Sequence, residues 1–126
     1  MAVTASDMAA LAAAPIRPDK PEGDSVTYEP EFESIKNEIA KIDSLTGEIP
    51  AWGEIESQSL AILKSRSKDL TVASYLLLSL FHRDGYKGLQ AGLTLYNEML
   101  SIFWDTLYPE IKRMRGRVGA VTWANE

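Results

Sequence analysis

Ser67-Lys68-Asp69-Leu70-Thr71-Val72-Ala73-Ser74-Tyr75-Leu76-Leu77-Leu78-Ser79-Leu80-Phe81-His82-Arg83-Asp84-Gly85 is the stretch that decides the fold. From Leu70 to Phe81 the apolar side chains cover nearly the whole circumference of a helix, and a helix apolar all round packs on several sides. A strand competes for such a run, but its length, leucine content and sparse β-branching favour helix. Ser67 reads as the N-cap, and Asp69 adds a favourable charge to the first turn. His82 and Arg83 suit the negative C-terminal end, and Gly85 suits the position just past it.

A central helix needs neighbours, and the flanking sequence offers them. Downstream, Leu89, Leu93, Tyr96, Leu100, Phe103 and Leu107 recur at spacings of 4, 3, 4, 3 and 4. This predicts a helix from Tyr86–Lys87 to about Leu107, stopped by Pro109. Upstream, a helix runs from about Trp52 to Arg66, with Trp52, Ile55, Ile62 and Leu63 near one side. Another starts at Pro30, a residue favoured at the first helical position, and its stripe is Phe32, Ile35, Ile39 and Ile42. Ser44 to Pro50 reads as a loop. Asp7 caps a short helix over Met8–Ala14, and Val118 to Trp123 begins a further one. Four of the six prolines fall between Pro15 and Pro30, so residues 14–29 read as an extended strap pinned by Ile16, Val26 and Tyr28. The expectation is an all-α fold without a sheet: a compact bundle of about five to seven helices at residues 30–126, with the strap before it. One domain fills 1–126. The last helix stops with its apolar face barely begun, which reads as a fragment of a longer chain.

The composition narrows the function. The 126 residues are 45% hydrophobic and 25% charged, with a net charge of −5. An acidic balance disfavours non-specific binding to nucleic acid or anionic membrane. No basic region precedes Arg17, so a secretory signal is not expected, and Val72–Phe81 is too short to span a bilayer. Cysteine is absent, which removes disulfides and thiol catalysis.

The search for chemistry finds little. His82 is the sole histidine and sits where a helix end favours it, so a nucleophile–base pair lacks its base and a transition metal lacks its usual ligands. Glu31, Glu33, Glu54 and Glu56 stand where helix N-termini favour anions. No catalytic residue, cofactor or metal site is expected. Two features remain. Lys112, Arg113, Arg115 and Arg117 place four of the thirteen cations within six residues, either as a solvated loop or as a patch for an acidic partner. Trp52 and Trp104 read as core, whereas Trp123 is buried only in a longer chain or against a partner.

The order of these landmarks resembles a known family. Pro15, Ile16, Pro18, Pro21, Gly23, Tyr28, Pro30 and Phe32 resemble the opening signature of the ImpA-related N-terminal domain of TssA proteins of the bacterial type VI secretion system. Pro50 and Trp52 resemble its P-x-W, and Ser67-Lys68-Asp69-Leu70 its S-K-D-L turn. Gly88-Leu89 and Trp104-x-x-Leu107-Tyr108-Pro109 resemble two further landmarks, and Arg117 and Trp123 stand where an Arg and a Trp are expected. The resemblance implies an all-helical, non-enzymatic scaffold in the cytoplasm of Gram-negative bacteria. It implies partners among baseplate, membrane-complex, sheath and tube proteins. It also implies a C-terminal ring-forming region, absent here, through which the full protein forms a homo-oligomer.

The partner-binding candidates are therefore Lys112, Arg113, Arg115, Arg117, Tyr28 and Trp123; for Tyr28 and the strap a structural role competes. An enzyme-accessory or regulatory helical domain is the alternative. A helix-turn-helix reading fails because Leu89 to Leu107, where the recognition helix would lie, holds no Lys or Arg.

Overall fold

The computed structural model describes residues 4–26, 29–43, 47–109 and 114–124. Among these the protein is all-α: α1 (Ala5–Ala13), α2 (Pro30–Ile39) continued by a 3-10 turn (Ala40–Asp43), α3 (Trp52–Ser65), α4 (Leu70–Asp84), α5 (Tyr86–Phe103) and α6 (Met114–Ala124). No strand or sheet occurs among the described residues, only two isolated bridges. As the all-round apolar pattern requires, α4 is central, packed by α3, α5 and α6; α1 lies on α5 and α3, and α2 on α3. Leu70, Val72, Ala73, Leu76 and Leu80 are buried in it against Ile35, Ile55, Leu63, Leu95 and Met99. Burying each of the Val, Leu, Ile and Met side chains contributes roughly 1.5–3 kcal/mol.

Several local expectations are corrected. The first helix begins three residues earlier than expected. Thr4 is its N-cap, its hydroxyl accepting from the Asp7 N–H while the Asp7 carboxylate at the third helical position accepts from the Thr4 N–H, a reciprocal capping box. For α4 the cap is Asp69, whose carboxylate accepts from Thr71 N (2.8 Å) and Val72 N (3.2 Å). Ser67 lies outside the helix, in a bridge to Gly23. Ile42 leaves the buried stripe and is exposed, because the chain tightens to three residues per turn after Ile39. The strap is irregular but not simply extended: Ile16 N–H donates to Pro21 O, closing a loop that Arg17 and Lys20 tie to the Asp24 carboxylate.

The largest difference concerns α5. Its buried face is Gly88, Ala91, Gly92, Leu95, Tyr96, Met99 and Phe103, whereas Leu93 is 50% exposed and Leu89 only half-buried. The cause is the close approach of two helices. A Cβ on Gly88 would stand 1.8 Å from the Leu80 carbonyl oxygen, and one on Gly92 2.3 Å from Leu77 Cδ1. The small residues let α5 lie against the α4 backbone, which turns the leucine stripe sideways and outward. At the interface the Tyr96 and Ser74 hydroxyls hydrogen-bond to each other, and burial raises the Tyr96 phenol above its usual range. The helix also ends at Phe103 rather than near Leu107. Leu107 N–H donates to Phe103 O (2.7 Å), and the turn returns Leu107 to the core while leaving Trp104 42% exposed. Trp104 is therefore not a core residue.

Candidate interaction site

Three separated segments meet beside the N-terminus of α4. The backbone of Lys68 is held on both sides: its N–H donates to Glu22 O (2.8 Å), and its carbonyl accepts from Tyr108 N (2.9 Å). Asp24 N–H donates to Arg66 O, Leu70 N–H to Tyr108 O, and the Tyr108 hydroxyl to Gly23 O (3.1 Å). The end of the strap, residues 66–70 and the segment after α5 thus run side by side. Gly23 fits here for two reasons. Its φ is +73°, in the left-handed region that disfavours side chains, and a Cβ would stand 2.3 Å from Arg66 O.

Two buried charges sit in this junction. Lys68 is fully buried. Its ammonium donates to the carbonyls of Leu11 (2.7 Å) and Leu63 (3.0 Å), near the C-terminal ends of α1 and α3, and lies 5.7 Å from the centre of the Phe103 ring. Helix C-terminal carbonyls are otherwise unpaired and carry partial negative charge, so one cation satisfies two helix ends. Burial pushes its pKa down to about 8. Asp69 beside it is pushed up to about 6 by burial, against the opposing pull of the Val72 and Thr71 N–H groups.

Arg117, from α6, closes the arrangement. It is 2% exposed, and its guanidinium donates to the carbonyls of Pro109 (2.6 Å), Trp104 (2.7 Å) and Leu107 (2.9 Å). It also lies 4.9 Å over the Trp104 ring. The planar fork of Arg suits several fixed acceptors at once. Arg117 therefore faces inward rather than toward a partner. Lys112, Arg113 and Tyr28 lie outside the described residues; Arg115 and Trp123 lie on α6.

His82 is at the end of α4, as its position predicts, and stacks on Trp52 with ring centres 4.2 Å apart. Among the described residues no cluster of three or more His, Cys, Asp or Glu side chains is arranged to hold a metal ion. No described helix is long and apolar enough to cross a membrane. Sequence reasoning noted Lys68 and Tyr108 only as parts of motifs and did not foresee their joint role; the signal was a lysine lodged between two apolar helices.

This geometry defines a class: an all-helical domain whose motif residues lock a proline-rich loop, two helix ends and a terminal helix into one junction. Residues 13–126 match the model of a family described as ImpA, N-terminal, type VI secretion system. The chain belongs to that family. The type VI secretion system component TssA1 of Pseudomonas aeruginosa is 36% identical over 110 residues, which cover 82% of this chain and 31% of that protein. A solved N-terminal domain of the TssA component from Burkholderia cenocepacia, which includes the conserved ImpA_N region, superposes with a TM-score of 0.78 at 31% identity. That match covers 91% of this chain and 45% of the other. The chain thus spans less than half the length of these relatives.

Proposed function

We propose that this chain is a non-enzymatic interaction and scaffold domain of a TssA-like type VI secretion component. It works in the cytoplasm by docking on baseplate, membrane-complex, sheath or tube proteins. The observation that carries the reading is the use made of the motif residues. Gly23, Lys68, Tyr108 and Arg117 bind other segments of their own chain, and Asp69 caps α4. What such a domain offers is a firmly held surface, and oligomerisation elsewhere in a full-length protein would multiply weak contacts into avid ones.

The experiment is co-purification of this chain with individual secretion components, alongside a variant in which Lys112, Arg113 and Arg115 are reversed to Glu. Arg117 is left intact because it holds the fold. Capture of a baseplate, membrane-complex, sheath or tube protein, weakened by the triple reversal without a change in melting temperature, supports docking through the basic segment. Unchanged affinity removes that segment from the interface. Failure to capture any such component refutes the proposal.

A further inference from the structure

We infer that α1 is a cover that opens separately from the rest of the domain, and that its docking is linked to the charge on Lys68, the side chain it shuts in. The Lys68 ammonium is held by two backbone carbonyls, Leu11 O in the last turn of α1 at 2.7 Å and Leu63 O in the last turn of α3 at 3.0 Å. The side chain has no exposed surface. The charged groups on the elements around it are engaged elsewhere. Asp7, the one charged residue of α1, is exposed in the first turn and bound in the Thr4 cap. On α3, Lys64 is exposed, and Glu54 and Glu56 stand in the first half of the helix. Arg66 pairs with Glu29 and Glu31. Asp69 turns its carboxylate to the α4 N–H groups, and Glu22 and Tyr108 meet Lys68 through backbone bonds. The helix α5 presents the Phe103 ring, with Lys87 and Glu98 more than a turn toward its start. Burial therefore acts on Lys68 without a compensating anion.

The geometry also lets α1 leave alone. It has nine residues, fewer than an isolated helix needs to be stable, and of its side chains Met8 and Ala12 are buried. Ala14 after it is extended and precedes Pro15, so the helix ends there. Beyond this point the strap is fixed by bonds that do not involve α1: Ile16 N–H to Pro21 O, Lys68 N–H to Glu22 O and Asp24 N–H to Arg66 O. Lifting α1 thus breaks the Leu11 bond, hydrates the ammonium and leaves the junction in place. While α1 is docked, burial pushes the amine from its ordinary 10.5 down to about 8. The docked state therefore favours the neutral amine, and the open state favours the ammonium. The penalty for shutting in the charge is present in full below pH 8 and fades between pH 8 and 10.5. Full rehydration on opening makes the open fraction fall about tenfold from pH 7 to pH 9. The cover tightens as pH rises. This inference does not depend on the secretion reading.

Native-state hydrogen exchange of the whole chain, with urea added below the unfolding transition, tests it. The α1 amides should exchange through an opening whose urea dependence is weaker than that of the α4 amides. Their protection, corrected for the intrinsic rate at each pH, should rise about tenfold from pH 7 to pH 9. Lys68→Met removes the titrating side chain but keeps the α-amino group, which titrates in the same range, so the rise should vanish. Lys68→Arg, charged throughout, should abolish it as well and serves if the methionine variant does not fold. Exchange of α1 in step with α4, at the same urea dependence, overturns the separate opening. Protection that stays flat across this range in the wild type, or a rise that survives either substitution, overturns the link to Lys68.

Discussion

Arg117→Ala removes three hydrogen bonds and one ring contact in a single step. Hydrogen bonds involving a charged partner contribute about 1.5–3 kcal/mol each, but the three are not additive, because the acceptors differ in what replaces the guanidinium. The carbonyls of Trp104 and Pro109 lie in partly buried bonds and regain water, whereas the bond to Leu107 is buried and leaves an orphaned acceptor. One unsatisfied buried carbonyl costs about 1–3 kcal/mol, the lost stacking on Trp104 about 0.5–1 kcal/mol, and the vacated volume adds to both. A loss of about 3–4 kcal/mol follows, in the range observed when one member of a buried charged arrangement is removed. For a domain of this size that lowers the melting temperature by roughly 10–20 °C. Arg117→Lys keeps the charge but lacks the planar fork, so it should fall between the two. Urea denaturation followed by circular dichroism measures all three proteins. An Arg117→Ala chain within about 0.5 kcal/mol of wild type, with partner binding lost, would show that Arg117 works at the surface and refute the clamp.

Gly88→Ala and Gly92→Ala raise helix propensity by about 1 kcal/mol, yet each places a Cβ into the facing helix. The net effect in denaturant melts should be a loss of about 1–3 kcal/mol, and a gain would refute the close α4–α5 approach. Gly23→Ala should cost about 2 kcal/mol through its positive φ and the contact with Arg66 O. It should also speed hydrogen exchange at the Asp24 amide, which that carbonyl holds; unchanged exchange would contradict the junction. Asp69 binds a proton near pH 6 in the folded state and near 3.8 in the unfolded chain, so its contribution to stability grows as pH falls between those values. Asp69→Asn keeps a capping oxygen but cannot titrate. Its stability relative to wild type should therefore decline by about 2 kcal/mol from pH 7 to pH 4.5, and a constant difference would show that Asp69 titrates normally.

The fold was legible where it rests on periodicity. The Leu70–Phe81 run, the Pro30 start and the Trp52 helix announce themselves because burial of one face or of the whole circumference is written residue by residue. The phase of α5 was not. Leucines at 89, 93 and 100 form the cleaner stripe, but packing energy depends on how near two backbones can come as well as on side-chain size. Gly88 and Gly92 let α4 approach closely enough that Leu95 and Met99 fill the core instead. Glycines four residues apart were the available signal, and a pattern count based on hydrophobic side chains passes over them.

Charge was misread for a related reason. Within Lys112–Arg117 all four cations look alike, and composition treats them as one patch. What distinguishes Arg117 is that the chain leaves a helix at Phe103, exposes three carbonyls in the turn to Pro109, and returns as α6 beside them. Those acceptors are produced by the tertiary path, so no local pattern reveals them. The same holds at Lys68, whose partners lie at Leu11 and Leu63. Both side chains close gaps that helix ends and turns create, and the hydrogen bonds and partial negative charge of those carbonyls offset part of the cost of burying a cation. Surface candidates are accordingly better sought where no backbone acceptor competes for the side chain.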